Sequence, residues 1–220
     1  MRLVLIRHGQ TPSNVRGLLD TRLPGPGLTR LGLQQAAALP DALAGEDISA
    51  IYVSNMVRTQ LTAAYLAADL DLETVERAGV REITSGDLEM RSDRASVERY
   101  LATVYDWTLG DLDRRMPGGE SGAEFFDRYD EVIAEAAQSG HSTVAIVSHG
   151  AAIRAWSSLR GSNLPSDFIM HNPLHNTGIV IAEGEPGGSW DILSFMGDAI
   201  GGERVDSAVA GPAGQGMPGA

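Results

Sequence analysis

Two histidines and two arginines of this 220-residue chain stand where apolar runs give way to polar junctions. Arg7-His8-Gly9 follows Leu3-Val4-Leu5-Ile6, and Ser148-His149-Gly150 follows the apolar stretch from Thr143 to Val147. A third run, Ile48 to Val53, leads into Ser54-Asn55-Met56-Val57-Arg58. A neutral imidazole can attack an electrophile, and a guanidinium can grip a phosphate or carboxylate with paired hydrogen bonds. In parallel α/β sheets ligands bind beyond the carboxyl ends of the strands. If these three runs are such strands, Arg7, His8, Arg58 and His149 converge on one crevice. Helix N-termini beside them would add to its pull on anions. That combination is a phosphate site with a nucleophile inside it. Phosphoryl transfer asks mainly for positioning and charge stabilisation. His8 could attack phosphorus in line while Arg7, Arg58 and His149 neutralise the transferring group. Gly150 would let the backbone approach the phosphate closely.

The elements that must hold these groups can be read from periodicity and punctuation. Residues 2–7 read as a buried strand, and the Gly- and Pro-bearing residues 8–28 as a loop. Thr29 can cap a helix carrying Leu31, Gln34, Gln35, Ala38 and Leu39. Ile48–Val53 is the second strand, and Ser54 or Asn55 is placed to cap the helix with Leu61, Ala64, Tyr65 and Ala68 on one face. A weak strand is expected at Glu73–Glu76, followed by irregular, charged residues 79–92. Val97, Tyr100, Leu101, Val104 and Tyr105 have helical spacing. Ser121-Gly122-Ala123-Glu124 is a capping box for a helix with Phe125, Tyr129, Val132, Ile133 and Ala136 inward. Thr143–Val147, a helix from about Ala151 to Leu159, and strands at Ile179–Ala182 and Trp190–Leu193 complete the pattern. Strands alternating with helices predict an α/β fold of three layers, α/β/α, with a mostly parallel central sheet and helices on both faces. Residues 1–196 are expected to be one catalytic domain and 197–220 a flexible Gly/Ala/Pro-rich tail.

Composition narrows the chemistry. There is no cysteine, which removes disulfides, thiolate nucleophiles and Cys-bound metals. There is no lysine, so all 17 basic residues are arginine, and P-loop and Schiff-base chemistry are excluded. A net charge of −12 argues against nucleic acid or an anionic membrane as partner, so an anionic substrate needs a local arginine cluster. No apolar run approaches the ~18 residues of a spanning helix, and no secretory leader is evident. A cytoplasmic protein is the expectation.

The stretches Arg7-His8-Gly9-Gln10-Thr11 with Asn14, Leu28-Thr29-Arg30-Leu31-Gly32 with Gln35-Ala36, and Ser54 with Arg58-Thr59 and Thr62-Ala63 occur in a recognisable order. Glu82 with Gly86 and Glu89, Pro117-Gly118-Gly119-Glu120-Ser121 and Val147-Ser148-His149-Gly150 continue it. Over residues 2 to about 155 the chain resembles the histidine phosphatase superfamily, in the branch of cofactor-dependent phosphoglycerate mutases and related phosphatases. The resemblance implies that His8 is the nucleophile that becomes phosphohistidine, with Arg7, Arg58 and His149 completing the phosphate pocket. It implies that Glu82 protonates the leaving oxygen and that Asn14 contacts the phosphate. His8 must then be neutral at its attacking nitrogen, so its other nitrogen should donate to a carbonyl near Gly9. Glu82 must carry a proton when it donates, which burial favours. Met90 stands where the family often has glycine, after Glu89.

The expected activity is hydrolysis of a small phosphorylated metabolite, with no cofactor or metal required by the mechanism and a homodimer only a family-level expectation. The alternatives are a phosphoglycerate mutase and a non-catalytic binder of phosphorylated ligands. Ala151 stands where mutases typically have Asn, and few arginines remain outside the pocket. Retention of His8, Glu82 and His149 together weighs against a mere binder, which needs only the arginines. His171 and His175 are four apart, but Pro173 between them argues for loop histidines. Ser121 reads as a helix cap. Specificity is expected from Val15–Leu28 and from a helical insertion at Ser92–Arg115.

Overall fold

The computed structural model describes residues 1–198 and 211–216. Apolar β-branched runs build the sheet. They are β1 (Arg2–Arg7), β2 (Ala50–Val53), β3 (Thr74–Glu76), β4 (Thr143–Ser148), β5 (Ile179–Gly184) and β6 (Trp190–Met196). Their order is β3-β2-β4-β1-β5-β6. The first four run parallel, while β5 and β6 are antiparallel additions at one edge. The sheet is therefore mixed, its parallel part carrying the three strand ends singled out above.

Alternate residues of each central strand serve opposite faces, as period-2 geometry requires. Leu3 and Leu5 point into one core with Val144 and Ile146. Val4 and Ile6 point into the other with Ala145 and Val147. Burial on both faces explains the near-continuous apolar runs, each large aliphatic contributing about 2–3 kcal/mol. Over the first face lie α5 (Arg94–Thr108), α6 (Gly122–Gln138) and α7 (Gly150–Arg160), through side chains such as Val104, Phe125, Tyr129 and Trp156. Over the second lie α3 (Leu39–Leu43) and α4 (Val57–Leu70), the latter packed on α2 (Arg30–Ala37). The three-layer expectation holds. Ser121 caps α6 in the capping box read from the sequence, and Thr29 caps α2.

Some elements differ from expectation. Residues 8–28 are not all loop. Thr11 caps a four-residue helix, α1 (Pro12–Val15), in a capping box with Asn14. Neither Ser54 nor Asn55 caps α4, whose N-cap is Met56 with no side-chain bond. A last short helix, α8 (Phe168–His171), ends at His171, which pairs with Asp167 at 3.5 Å. Of the expected tail, residues 211–216 are described and lie against the domain, with Gly211, Pro212 and Gly214 buried. Residues 199–210 and 217–220 lie outside the described residues. Among the described residues no helix is long and apolar enough to cross a membrane.

Candidate active site

Arg7 of β1 is in register with Ser148 of β4, and Val53 of β2 with Val147. The three exits therefore lie side by side, about 4.8 Å apart per strand. Beyond them is a cleft lined by Arg7, His8, Thr11, Ser13, Asn14, Leu18, Leu19, Asp20, Thr21, Arg58, Glu82, Pro212 and Ala213. Five of the sequence-predicted site residues, Arg7, His8, Asn14, Arg58 and Glu82, meet there. His149 and Gly150 sit behind it.

His8 is buried, and its Nδ1 lies 2.7 Å from the Gly9 carbonyl oxygen. A carbonyl can only accept, so Nδ1 carries the proton and Nε2 keeps its lone pair for the cleft. Burial, with Arg58 and Arg7 adding to it, holds the imidazole well below its usual range. His8 is thus neutral at neutral pH, as a nucleophile must be. The Gly9 carbonyl anticipated from the sequence is the one found.

Arg58 reaches the cleft from the first turn of α4. Its Nε donates to His149 Nδ1 at 3.2 Å and its Nη2 to the Asp20 carbonyl at 3.2 Å. His149 Nδ1 therefore accepts, and its Nε2 proton goes to Ser54 Oγ at 2.9 Å. Burial and Arg58 hold His149 well below the usual imidazole range, so it is neutral. Both His149 nitrogens are thus engaged, Nδ1 with Arg58 and Nε2 with Ser54. Its ring centroid lies 5.2 Å from that of His8. Ser54, expected to cap a helix, instead fixes the His149 tautomer. Arg58 has no carboxylate within ion-pair distance among the described residues, so its buried charge has no anion of its own. Arg7, fully buried, donates Nη1 to the Leu174 carbonyl at 2.5 Å. Burial pushes its guanidinium down to about 10, which still leaves it charged at neutral pH. Gly150 makes room for it, since a Cβ there would lie 2.9 Å from Arg7 Nε.

Glu82 sits at the N-terminus of α7. Its Oε1 accepts from the Ile83 and Ala152 amides at 3.0 and 2.9 Å, and its Oε2, among the described residues, only from Ala151 at 3.3 Å. Burial raises its carboxyl above the usual range, against the pull of these amides and of Arg58. Oε2 is the less satisfied oxygen and hence the place for a proton. Arg128 of α6 holds the supporting loop through the carbonyls of Gly79, Arg81 and Glu82. Tyr100 donates to the Ile83 carbonyl at 3.1 Å. Glu89, the competing carboxylate, accepts from both Thr21 groups, the Arg22 amide and Ser85 Oγ. These donors outweigh its desolvation and hold it below the usual range, and it does not line the cleft.

Met90, at the position often held by glycine, has φ +61° and is 48% exposed. A side chain there costs about 1–2 kcal/mol of backbone strain. Met90→Gly is expected to gain about 0.5–1 kcal/mol after the entropy of the freer chain is subtracted, or about 2–3 °C in Tm. A lower Tm on thermal unfolding would contradict this.

Further polar residues brace the cleft. Asn176 donates to the His8 carbonyl at 3.0 Å and to Asn14 Oδ1 at 3.2 Å. Asn14 Oδ1 also accepts from the Thr11 amide, which leaves its Nδ2 for a ligand. Asp20 accepts from Ser13 Oγ at 2.5 Å. The segment Val15–Leu28 supplies Leu18–Thr21 as expected, but Ser92–Arg115 contributes no lining residue. Its Tyr100 and Trp107 are core, anchoring the Glu82 loop and packing under α6.

The family model of the histidine phosphatase superfamily, branch 1, matches residues 3–196. PE-PGRS family protein PE_PGRS11 of Mycobacterium tuberculosis is 33% identical over 222 residues, covering 93% of this chain. The chain spans only 38% of that relative's length. Adenosylcobalamin/alpha-ribazole phosphatase of Escherichia coli K12 is 34% identical over 155 residues, 68% of this chain and 73% of that protein. Among solved structures, a mycobacterial glucosyl-3-phosphoglycerate phosphatase in complex with VO3 superposes with a TM-score of 0.73 at 25% identity, covering 89% of this chain and 98% of the other.

Proposed function

We propose that this chain, which belongs to the histidine phosphatase superfamily, is a phosphomonoester hydrolase working through a phosphohistidine on His8. The observation that carries this reading is the His8 tautomer. Nδ1 is held on the Gly9 carbonyl, so the Nε2 lone pair faces a cleft that also holds Arg7, Arg58 and a buried Glu82. In the first step Nε2 attacks phosphorus, the bond from phosphorus to the ester oxygen breaks, and the Glu82 Oε2 proton passes to that oxygen. Arg7 and Arg58 hold the non-bridging oxygens, and Asn14 Nδ2 adds a neutral donor. In the second step water attacks the phosphohistidine, the Glu82 carboxylate takes its proton, and inorganic phosphate leaves a neutral His8.

The substrate is a small phosphorylated metabolite. A phosphoglycerate mutase would need to bind a second anionic group. Beyond Arg7 and Arg58 no further arginine lines the cleft among the described residues, and Asp20 stands on its wall. Ala151 points the same way. The test is steady release of inorganic phosphate from phenyl phosphate, unstimulated by a bisphosphorylated glycerate. Strong stimulation with little net hydrolysis would favour the mutase.

Arg58→Lys is expected to lower kcat/KM for phenyl phosphate by about 10–100-fold. A single ammonium cannot keep both the His149 and Asp20 bonds and still offer two parallel N–H groups to phosphate. Steady-state kinetics check this, and a change under threefold would contradict forked phosphate binding.

A further inference from the structure

The family match ends at residue 196, yet Pro212 and Ala213 line the cleft. The segment Gly211–Gly216 that carries them is tied to the domain at several points. Leu174 donates its amide to the Gly214 carbonyl at 3.0 Å, and the Leu174 carbonyl accepts from Arg7 Nη1. Gly214 packs so close to Arg7 that a Cβ there would overlap the guanidinium, and a Cβ on Gly211 would lie 2.7 Å from Asn14 Nδ2. The Ala213 carbonyl closes on Gly150 at the start of α7. No sequence periodicity marks this segment. Its glycines fit because two phosphate-site side chains leave no room for anything larger.

One buried side chain holds the outer end. Arg154 of α7 is 2% exposed and has no carboxylate partner among the described residues. Its guanidinium donates to three carbonyls: Nε to Asn172 at 3.1 Å, Nη2 to Ile169 and Nη1 to Gln215. A buried guanidinium is costly unless its donors are used, and a planar fork suits three carbonyls from separate segments. The far side of the segment faces a second groove, where Pro212 and Gln215 meet Gly17, Ser92, Arg94 and Val97. Pro212 therefore separates two spaces, the phosphate cleft and this outer groove.

We propose that Gly211–Gly216 is a fixed wall of the phosphate cleft that limits the size of the leaving group, and that Arg154 is the positioning residue that holds it. This rests on the phosphatase reading above and adds to it the feature that selects among phosphomonoesters. Residues 211–216 then belong to the catalytic domain. The wall adds no side chain of its own to His8, Arg7, Arg58 and Glu82 at the phosphate end, so its effect on the alcohol portion is read as a ratio between two esters, in which any common loss from disturbing Arg7 cancels.

The test compares kcat and KM for phenyl phosphate and 1-naphthyl phosphate, esters differing by one fused ring. Deleting residues 211–220 is expected to lower kcat for both esters, since it removes the packing against Arg7 and Asn14. It should raise the naphthyl-to-phenyl ratio of kcat/KM about tenfold, the scale of a small steric misfit in a pocket. Ala213→Leu, which keeps the full chain, should lower that ratio. Arg154→Gln should shift it in the direction of the deletion and add nothing to a chain already lacking 211–220. An unchanged ratio in both the deletion and Ala213→Leu overturns the wall. An Arg154→Gln shift that persists in the shortened chain overturns the positioning role. If the intact chain hydrolyses neither ester, the phosphatase reading itself fails, which is a separate outcome.

Discussion

Replacing His8 with alanine is expected to abolish turnover of phenyl phosphate, by about 10⁴-fold or more in kcat, because it removes the neutral imidazole that faces the cleft. Glu82 is bound to backbone amides, and both nitrogens of His149 are engaged. The fold should survive, since His8 ends a strand whose partners are backbone and whose neighbours are the polar groups of the site. The arginines remain in His8→Ala, so inorganic phosphate should still bind with a Kd within about tenfold of the parent, one lost contact being worth about 1.4 kcal/mol or less. This split separates an enzyme from a binder. Titration with inorganic phosphate alongside steady-state kinetics reads both. Near-normal turnover in the variant contradicts nucleophilic catalysis by His8.

Glu82→Gln is expected to lower kcat/KM for phenyl phosphate by about 10²–10⁴-fold, the range of a lost general acid. It should also change the pH profile. Burial raises the Glu82 carboxyl, so the protonated, donating form persists above the ordinary carboxylate range. Activity should then fall as pH rises through that raised value. On the acid side, burial and the two arginines depress His8, so the limb from its protonation should lie below the ordinary imidazole range. Glu82→Gln keeps the acid limb and loses the alkaline one. An alkaline limb unchanged in the variant would assign it to another group. Esters with better leaving groups need less proton donation, so p-nitrophenyl phosphate should lose less than phenyl phosphate.

What the sequence disclosed and what it concealed follow from physical differences between the residues. Leu3–Ile6 and Val144–Val147 are buried on both faces, so composition alone marks them, and the ligand rule for strand ends then picks out Arg7, His8 and His149. Ser121 and Glu124 announce α6 because a capping box is local. Ser54 has the same local credentials, yet its hydroxyl is taken by His149, 95 residues away in sequence. Local pattern cannot anticipate a competing partner from another strand. Glu82 and Glu89 are alike by composition. They are told apart by their donors: backbone amides and burial for one, hydroxyls and amides from the Thr21 loop for the other. Thr11-Pro12 and Asn14 did signal a short helix, hidden by the Gly and Pro content around it. Gly211–Gly216 read as tail because its place is set by Arg7, Asn14 and Arg154, and none of that shows in a Gly-Pro-Ala-Gly string.

A covalent bond between phosphorus and His8 is the centre of the proposed catalysis, and rapid quenching during turnover of labelled phenyl phosphate tests it most directly. The expected product is a phosphorylated peptide containing residue 8, labile to acid and stable to base as a phosphohistidine is. The label should be absent from His8→Ala, and it should build up in Glu82→Gln with p-nitrophenyl phosphate if water activation is slowed more than attack. Steady turnover with no label on the protein, or with label on another residue, would contradict it.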